Sequence, residues 1–274
     1  MGLTFIVIVV NVLRSSIDGI VLAAKQSLGA VGVFGLAAYM VSVMQAPFRS
    51  MIAVTIPILS RSWKNKDIHE ITRIYKRSSI NLLTFSLLIF FCIWLNFETA
   101  ITFFGINEAY LDGKWVFFML GIVAIIEMGT GVNAQIIGTS VYWRFELWTS
   151  MLLTALIIQL SYYLTVKYGI FGPAIANVVS FTIYNYIRFH FLWKKYNMQP
   201  FTRKTLEVII AAVAAYVLTY FALRDTTGLW FLILNPMLFA AIFISFVYYR
   251  NISPDVKPVV YSLRNRFYKN RKLQ

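Results

Sequence analysis

Apolar residues fill this chain in long runs separated by short polar connections. A run of about 20 apolar residues is the length that crosses ~30 Å of hydrocarbon as a helix. Eight such runs are present, at about 3–24, 33–58, 78–97, 115–137, 146–166, 170–190, 206–223 and 229–248. The pattern predicts an all-α, polytopic transmembrane helix bundle of eight spans and leaves no room for a sizeable soluble domain. Two polar stretches carry helical signals of their own. In "SRSWKNKDIHEITRIYKRSS", Asp67 and Glu70 form a helix-start pair, and Ile68, Ile71 and Tyr75 then share a face, predicting a short helix on the cytoplasmic surface. After "SPD", Val260, Leu263 and Phe267 recur at helical spacing among basic residues, the pattern of an interfacial helix held by anionic lipid headgroups.

Composition agrees with the pattern. Hydrophobic residues make up 59% of 274 positions and charged residues 13%, against about a quarter charged in a soluble domain. The one cysteine, Cys92, lies inside a run, which excludes an intrachain disulfide and a thiolate metal site within the chain. The residues before the first run lack basic side chains, so that run reads as a retained span and not as a cleaved signal.

A net charge of +14 raises nucleic acid as a partner, but the distribution of charge argues against it. The odd connections hold only Lys25, Lys114, Lys167 and Arg224, whereas the even connections and the tail hold most of the 25 Lys and Arg. This alternation is the positive-inside pattern and predicts that both termini are cytoplasmic. Membrane lipids are the expected partner of the basic face.

Polar residues inside the runs fall on stripes. At 100° per residue, Asn11, Arg14, Asp18 and Lys25 lie within about 60° of one another on the first helix. A charge at mid-membrane costs roughly 2.5–3.5 kcal/mol on insertion scales. An i, i+4 pairing of Arg14 with Asp18 would recover part of that cost, but two leucines would avoid it altogether. In the second run Tyr39, Ser42, Ala46, Arg49 and Ala53 share a face, with Pro47 placed to kink the helix. In the fourth, Glu127 lines up with Gly131, Ala134 and Gly138, and in the sixth Asn177, Tyr184 and Arg188 align. A shared aqueous cavity would satisfy all four stripes; an internal charge cluster that only fixes helix packing is the plainer alternative. One echo stands out. "GVFGLAAY" (32–39) and "GIFGPAIA" (169–176) both open a span on the outer side, where two glycines three apart allow a tight turn and then close packing.

The stretch "SIDGIVLAAKQSLGAVGVFGLAAYMVSVMQAPFRSMIAVTIPILSRSW", the "D-x-x-E-I-x-x-I-Y" segment and "YGIFGPAIANVVS" resemble the C-terminal half of bacterial polysaccharide and O-antigen flippases. These belong to the multidrug/oligosaccharidyl-lipid/polysaccharide exporter superfamily. The resemblance implies a six-helix lobe (residues 1–193), two further spans (194–248) and a basic cytoplasmic tail (249–274) in the bacterial inner membrane. It also implies transport of an anionic polyprenyl-pyrophosphate-linked oligosaccharide through a cleft shared with an N-terminal lobe. By position, Arg14, Lys25 and Arg49 would be the cationic lining. Asp18 and Glu127 would balance that charge or bind a coupling cation, H+ or Na+, and Asn177 and Tyr184 would add polar contacts. No other cofactor is implied. Full members carry an N-terminal lobe that has no counterpart here, so the expectation is a truncated or half-transporter chain whose cleft is completed by a separately encoded lobe or a second copy.

Three rival functions follow from the same residues. A membrane glycosyltransferase or polymerase would need catalytic acids or His in an outer connection. The third connection offers only Glu98, Glu108 and Asp112, and His69 and His190 have no partner at catalytic or metal-ligand spacing; the chain reads as a non-enzyme. A multidrug extrusion transporter would favour acidic and aromatic lining, whereas basic residues outnumber acids on these stripes. The third rival is a non-transporting membrane fragment.

Overall fold

The computed structural model of the protein describes residues 14, 16–223, 229–253 and 255. All regular elements among them are helical. Arg14 and residues 16–25 form α1, followed by α2 (Leu28–Met44), α3 (Ala46–Lys64), α4 (Ile68–Phe103) and a 3-10 turn (Glu108–Asp112). Then come α5 (Gly113–Gly129), α6 (Asn133–Gly138), α7 (Trp143–Tyr168), α8 (Phe171–Tyr196), α9 (Arg203–Ala222) and α10 (Leu229–Tyr249). The first expected span lies mostly outside the described residues, as does the tail helix around Val260, Leu263 and Phe267.

Five stretches are long and apolar enough to cross a membrane: Ile68–Phe103, Glu108–Gly129, Trp143–Tyr168, Arg203–Ala222 and Trp230–Tyr249. Together α2 and α3 make a sixth, bent by 44°. With the composition, this defines a multi-pass helical membrane protein, with five or six such spans among the described residues where eight were expected overall. α8 is as long as α7, but Asn177, Asn185 and Arg188 dilute its apolar content.

Three elements depart from the sequence pattern, each for a local reason. The expected surface helix and third span form one 36-residue helix, α4. Its length of about 54 Å exceeds the hydrocarbon core, so its first turns stand outside. Asp67 caps it by accepting from the Glu70 N–H at 2.9 Å, as the sequence suggested. The second span breaks at Gln45, which ends α2 and starts α3, and Pro47 lies in the first turn of α3. Pro47 has no N–H to continue the ladder and suits a helix start. The fourth span breaks between α5 and α6, where Gly131 takes φ +64°. A β-carbon there would lie 2.8 Å from Ser78 Oγ and 3.0 Å from the Ser79 nitrogen, so the backbone of the break presses directly on α4. Ser79 donates to the Gly129 carbonyl, and the Val132 N–H donates to Ser78 Oγ at 3.3 Å, satisfying groups that the break releases.

α4 is the central pillar. Toward its C-terminal end, Phe90, Phe97 and Ile101 pack with Phe34, Val41 and Phe117 of α2 and α5. Toward its N-terminal end, Ile71 and Tyr75 meet Leu59, Ile136 and Leu192. On another side α9 and α10 dock, with Phe239 and Phe243 against Ile80, Leu83 and Leu87. The chain after α10 returns to the same helix. Arg77 and Asn81 both bond Asp255, and Ser253 donates to Asn81 at 2.7 Å.

The glycine echo holds at one place only. Gly169 closes α7 with φ +59°, and a β-carbon on Gly172 would lie 2.4 Å from Thr165, so α7 and α8 form a tight hairpin. Gly32 and Gly35 instead lie inside α2, and nothing approaches Gly35 within 4 Å.

Candidate functional site

A cavity of about 700 Å³ opens between α1, the α2–α3 pair, the α5–α6 pair, α7 and α8. Six of the seven side chains singled out from the sequence line it: Arg14, Asp18, Arg49, Glu127, Asn177 and Tyr184. They come from four different helices, α1, α3, α5 and α8, and each faces the cavity because the helical stripes converge there. Lys25 does not. It is exposed at the end of α1, with Nζ 4.8 Å from the centre of the Tyr162 ring. The stripe on α1 therefore turns away from the cavity before its last charge.

The charges are arranged differently from the sequence expectation. Arg14 and Asp18 form no ion pair; Arg14 lies over the Phe181 ring, 5.8 Å from its centre. Asp18 accepts instead from Ser161 Oγ at 2.8 Å and Asn177 Nδ2 at 2.7 Å, tying α1 to α7 and α8. Glu127 accepts from Gln45 Nε2 at 3.3 Å. Arg49 is exposed to the cavity and donates to the Ser42 carbonyl at 2.9 Å, bridging the break between α2 and α3. Tyr184 shares a hydrogen bond with Ser150 at 3.3 Å.

An ion pair in the cavity lining escaped the sequence reading. Arg188, 3% exposed, bonds Glu146, and its guanidinium lies 3.5 Å from the centre of the Tyr184 ring. Glu146 Oε2 and Arg188 Nε have no further partner. The alignment of Arg188 with Asn177 and Tyr184 was visible, but its basic charge placed it among the cytoplasmic connections. Glu146 opens α7 and had no stripe to mark it. Around these groups, Thr130 Oγ1 and Asn133 Nδ2 both donate to Asn185 Oδ1, at 2.9 and 3.2 Å, fixing the α5–α6 break against α8.

With these assignments the described lining carries three arginines (Arg14, Arg49, Arg188) and three acids (Asp18, Glu127, Glu146). Basic residues do not outnumber acids, as the stripes had suggested. Their engagement differs, however. Glu146 is neutralised by Arg188, Asp18 is held by neutral donors, and Glu127 accepts from Gln45 while Arg14 and Arg188 act on it through space without an ion-pair contact. Arg14 and Arg49 have no carboxylate partner among the described residues. Among those residues, no cluster of three His, Cys, Asp or Glu side chains could hold a metal ion.

Polar cavities lined by discontinuous helices recur in membrane transporters. No protein-family model matches the chain, and no curated protein matches it. A solved structure does: a MOP superfamily transporter from Pyrococcus furiosus, whose binding pocket is described as having reversed polarity, suggesting a different function for it. The two superpose with a TM-score of 0.51 at 18% identity, covering 88% of this chain and 62% of that one. The chain therefore has the fold of a MOP superfamily transporter over most of its length and spans less than two thirds of that relative.

Proposed function

We propose that the chain is a lobe of a membrane transporter that moves an anionic, polyprenyl-pyrophosphate-linked oligosaccharide across the bacterial inner membrane for surface polysaccharide synthesis. The observation that carries this reading is the state of the cavity charges. Among the described residues Arg14 and Arg49 form no ion-pair contact with a carboxylate, Arg14 acting on Glu127 only through space, whereas Glu146 is already paired. A pyrophosphate offers several acceptor oxygens and suits a planar guanidinium fork. The glycan and the polyprenyl chain would extend beyond the cavity, toward a second lobe on another chain or a second copy and toward lipid. Asp18 or Glu127 takes the coupling cation, H+ or Na+, and both termini face the cytoplasm.

A second reading has its own support. The equal number of acids and the Tyr184 and Phe181 rings suit an organic cation, the cargo of a multidrug extrusion-type transporter.

Calorimetry on the purified chain separates the two. Under the first reading geranyl pyrophosphate binds and tetraphenylphosphonium does not. Arg14→Ala and Arg49→Ala each weaken pyrophosphate binding by roughly 10–100-fold, the loss of one charge-assisted contact of about 1.5–3 kcal/mol. The same substitutions lower surface glycan in cells while leaving protein levels intact. Tetraphenylphosphonium binding, with no response to geranyl pyrophosphate, favours the second reading and ends the first.

A further inference from the structure

Two neighbouring spans are interrupted together. α2 gives way to α3 at Gln45, and α5 gives way to α6 across Thr130–Val132. Their halves pack on each other in the same order, α2 against α5 and α3 against α6 and α4. The joint between them is polar. Gln45, the hinge residue itself, donates to Glu127 near the end of α5. Across the hinge, the Arg49 guanidinium donates to the Ser42 carbonyl. An unbroken helix would use that carbonyl for the N–H four residues on. A 44° bend thus has one side chain reaching over it.

That side chain also faces the cavity, as do Ser42 and Gln45. The Arg49 donors consequently have two possible acceptors, a neutral carbonyl of their own helix and any anion in the cavity. A phosphate oxygen is the stronger acceptor and can engage the fork in two places. We infer that Arg49 is a ligand-operated hinge cap: a phosphate or pyrophosphate group in the cavity draws the guanidinium off the Ser42 carbonyl and changes the angle between α2 and α3. This rests on the anionic-cargo reading. The ligand moves the equilibrium because the released guanidinium offers it the Nη2 donor that the Ser42 carbonyl otherwise holds, and this extra contact is the differential one a population shift requires. Gln45 keeps the upper half pinned to Glu127 of α5, so α3, packed on α6, is the part that moves.

The test uses the full chain carrying Cys92→Ser, with nitroxide labels at Tyr39→Cys on α2 and Ile58→Cys on α3, both exposed positions. Distances are measured by double electron–electron resonance in phosphatidylcholine nanodiscs with and without inorganic pyrophosphate, and in phosphatidylglycerol nanodiscs. Pyrophosphate is expected to shift the distribution. Arg49→Ala should broaden the ligand-free distribution and abolish the response. Arg49→Lys, which keeps the charge and a donor, should hold the resting bend and respond only at higher pyrophosphate. A shift in phosphatidylglycerol alone assigns the trigger to a lipid headgroup, and a shift only with pyrophosphate assigns it to an anion from solution. If pyrophosphate binds by calorimetry yet the distances stay fixed, or if Arg49→Ala and Arg49→Lys both match the parent, the hinge is overturned and the anionic-cargo reading stands. Absence of pyrophosphate binding together with an unchanged distribution in phosphatidylglycerol overturns both.

Discussion

Asp18 and Asn177, 159 residues apart in sequence, meet through a 2.7 Å hydrogen bond from the amide Nδ2 to the carboxylate. With Ser161 donating to the other oxygen, the carboxylate joins α1, α7 and α8 at the wall of the cavity and has no ion-pair partner among the described residues. A carboxylate supported only by neutral donors has its charge available to a proton or a sodium ion, the coupling role proposed for it. Asp18→Asn should therefore keep the fold and its melting temperature but lose the dependence of transport on sodium or pH in proteoliposomes. Asn177→Leu removes a donor from a buried acceptor and should cost about 1–3 kcal/mol, read as a lower melting temperature in detergent.

The Arg188–Glu146 pair gives a second outcome. Removing either partner of a buried ion pair leaves an uncompensated charge, at a cost of roughly 3–5 kcal/mol, whereas replacing both is close to neutral. Arg188→Leu and Glu146→Leu should each lower the melting temperature more than the double variant does.

Gly131 and Gly35 make a matched contrast. Gly131→Ala places a β-carbon against Ser78 and Ser79 at positive φ and should cost more than the ~1–3 kcal/mol of backbone strain alone. Gly35→Ala meets nothing and should stabilise α2 by about 0.5–1 kcal/mol. Thermal unfolding of the two variants should move in opposite directions.

Lys25 provides a negative control. It lies off the cavity, on the Tyr162 ring, so Lys25→Ala should leave geranyl pyrophosphate binding unchanged in calorimetry while Arg14→Ala weakens it.

The sequence showed which helix faces are polar better than it showed where helices stop. Stripes on four spans converge on one cavity, because helical periodicity fixes which residues share a face whatever the partners are. The breaks at Gln45 and Gly131 were less legible. Pro47 announced the first, but Gly131 read as one more small residue on a packing face, since its positive φ depends on contact with Ser78 and Ser79 from a distant part of the chain. Glu146 and Arg188 were missed for the same kind of reason. Each is one charge near a helix end, where sequence suggests solvent, and only the packing of α7 on α8 buries them together. Lys25 was misplaced because a wheel extended to the end of a helix ignores where the cavity ends.

The most direct measurement is the accessibility of cavity positions to an anionic, membrane-impermeant thiol reagent. In a Cys92→Ser background, Ala38→Cys, Leu147→Cys and Thr154→Cys line the cavity, and Ile210→Cys is exposed on α9 away from it. The account predicts that methanethiosulfonate ethylsulfonate labels the three cavity cysteines in intact membranes, that geranyl pyrophosphate protects them, and that Ile210→Cys stays unlabelled. Cavity cysteines as inert as Ile210→Cys would contradict an aqueous, anion-accepting cavity within the bundle.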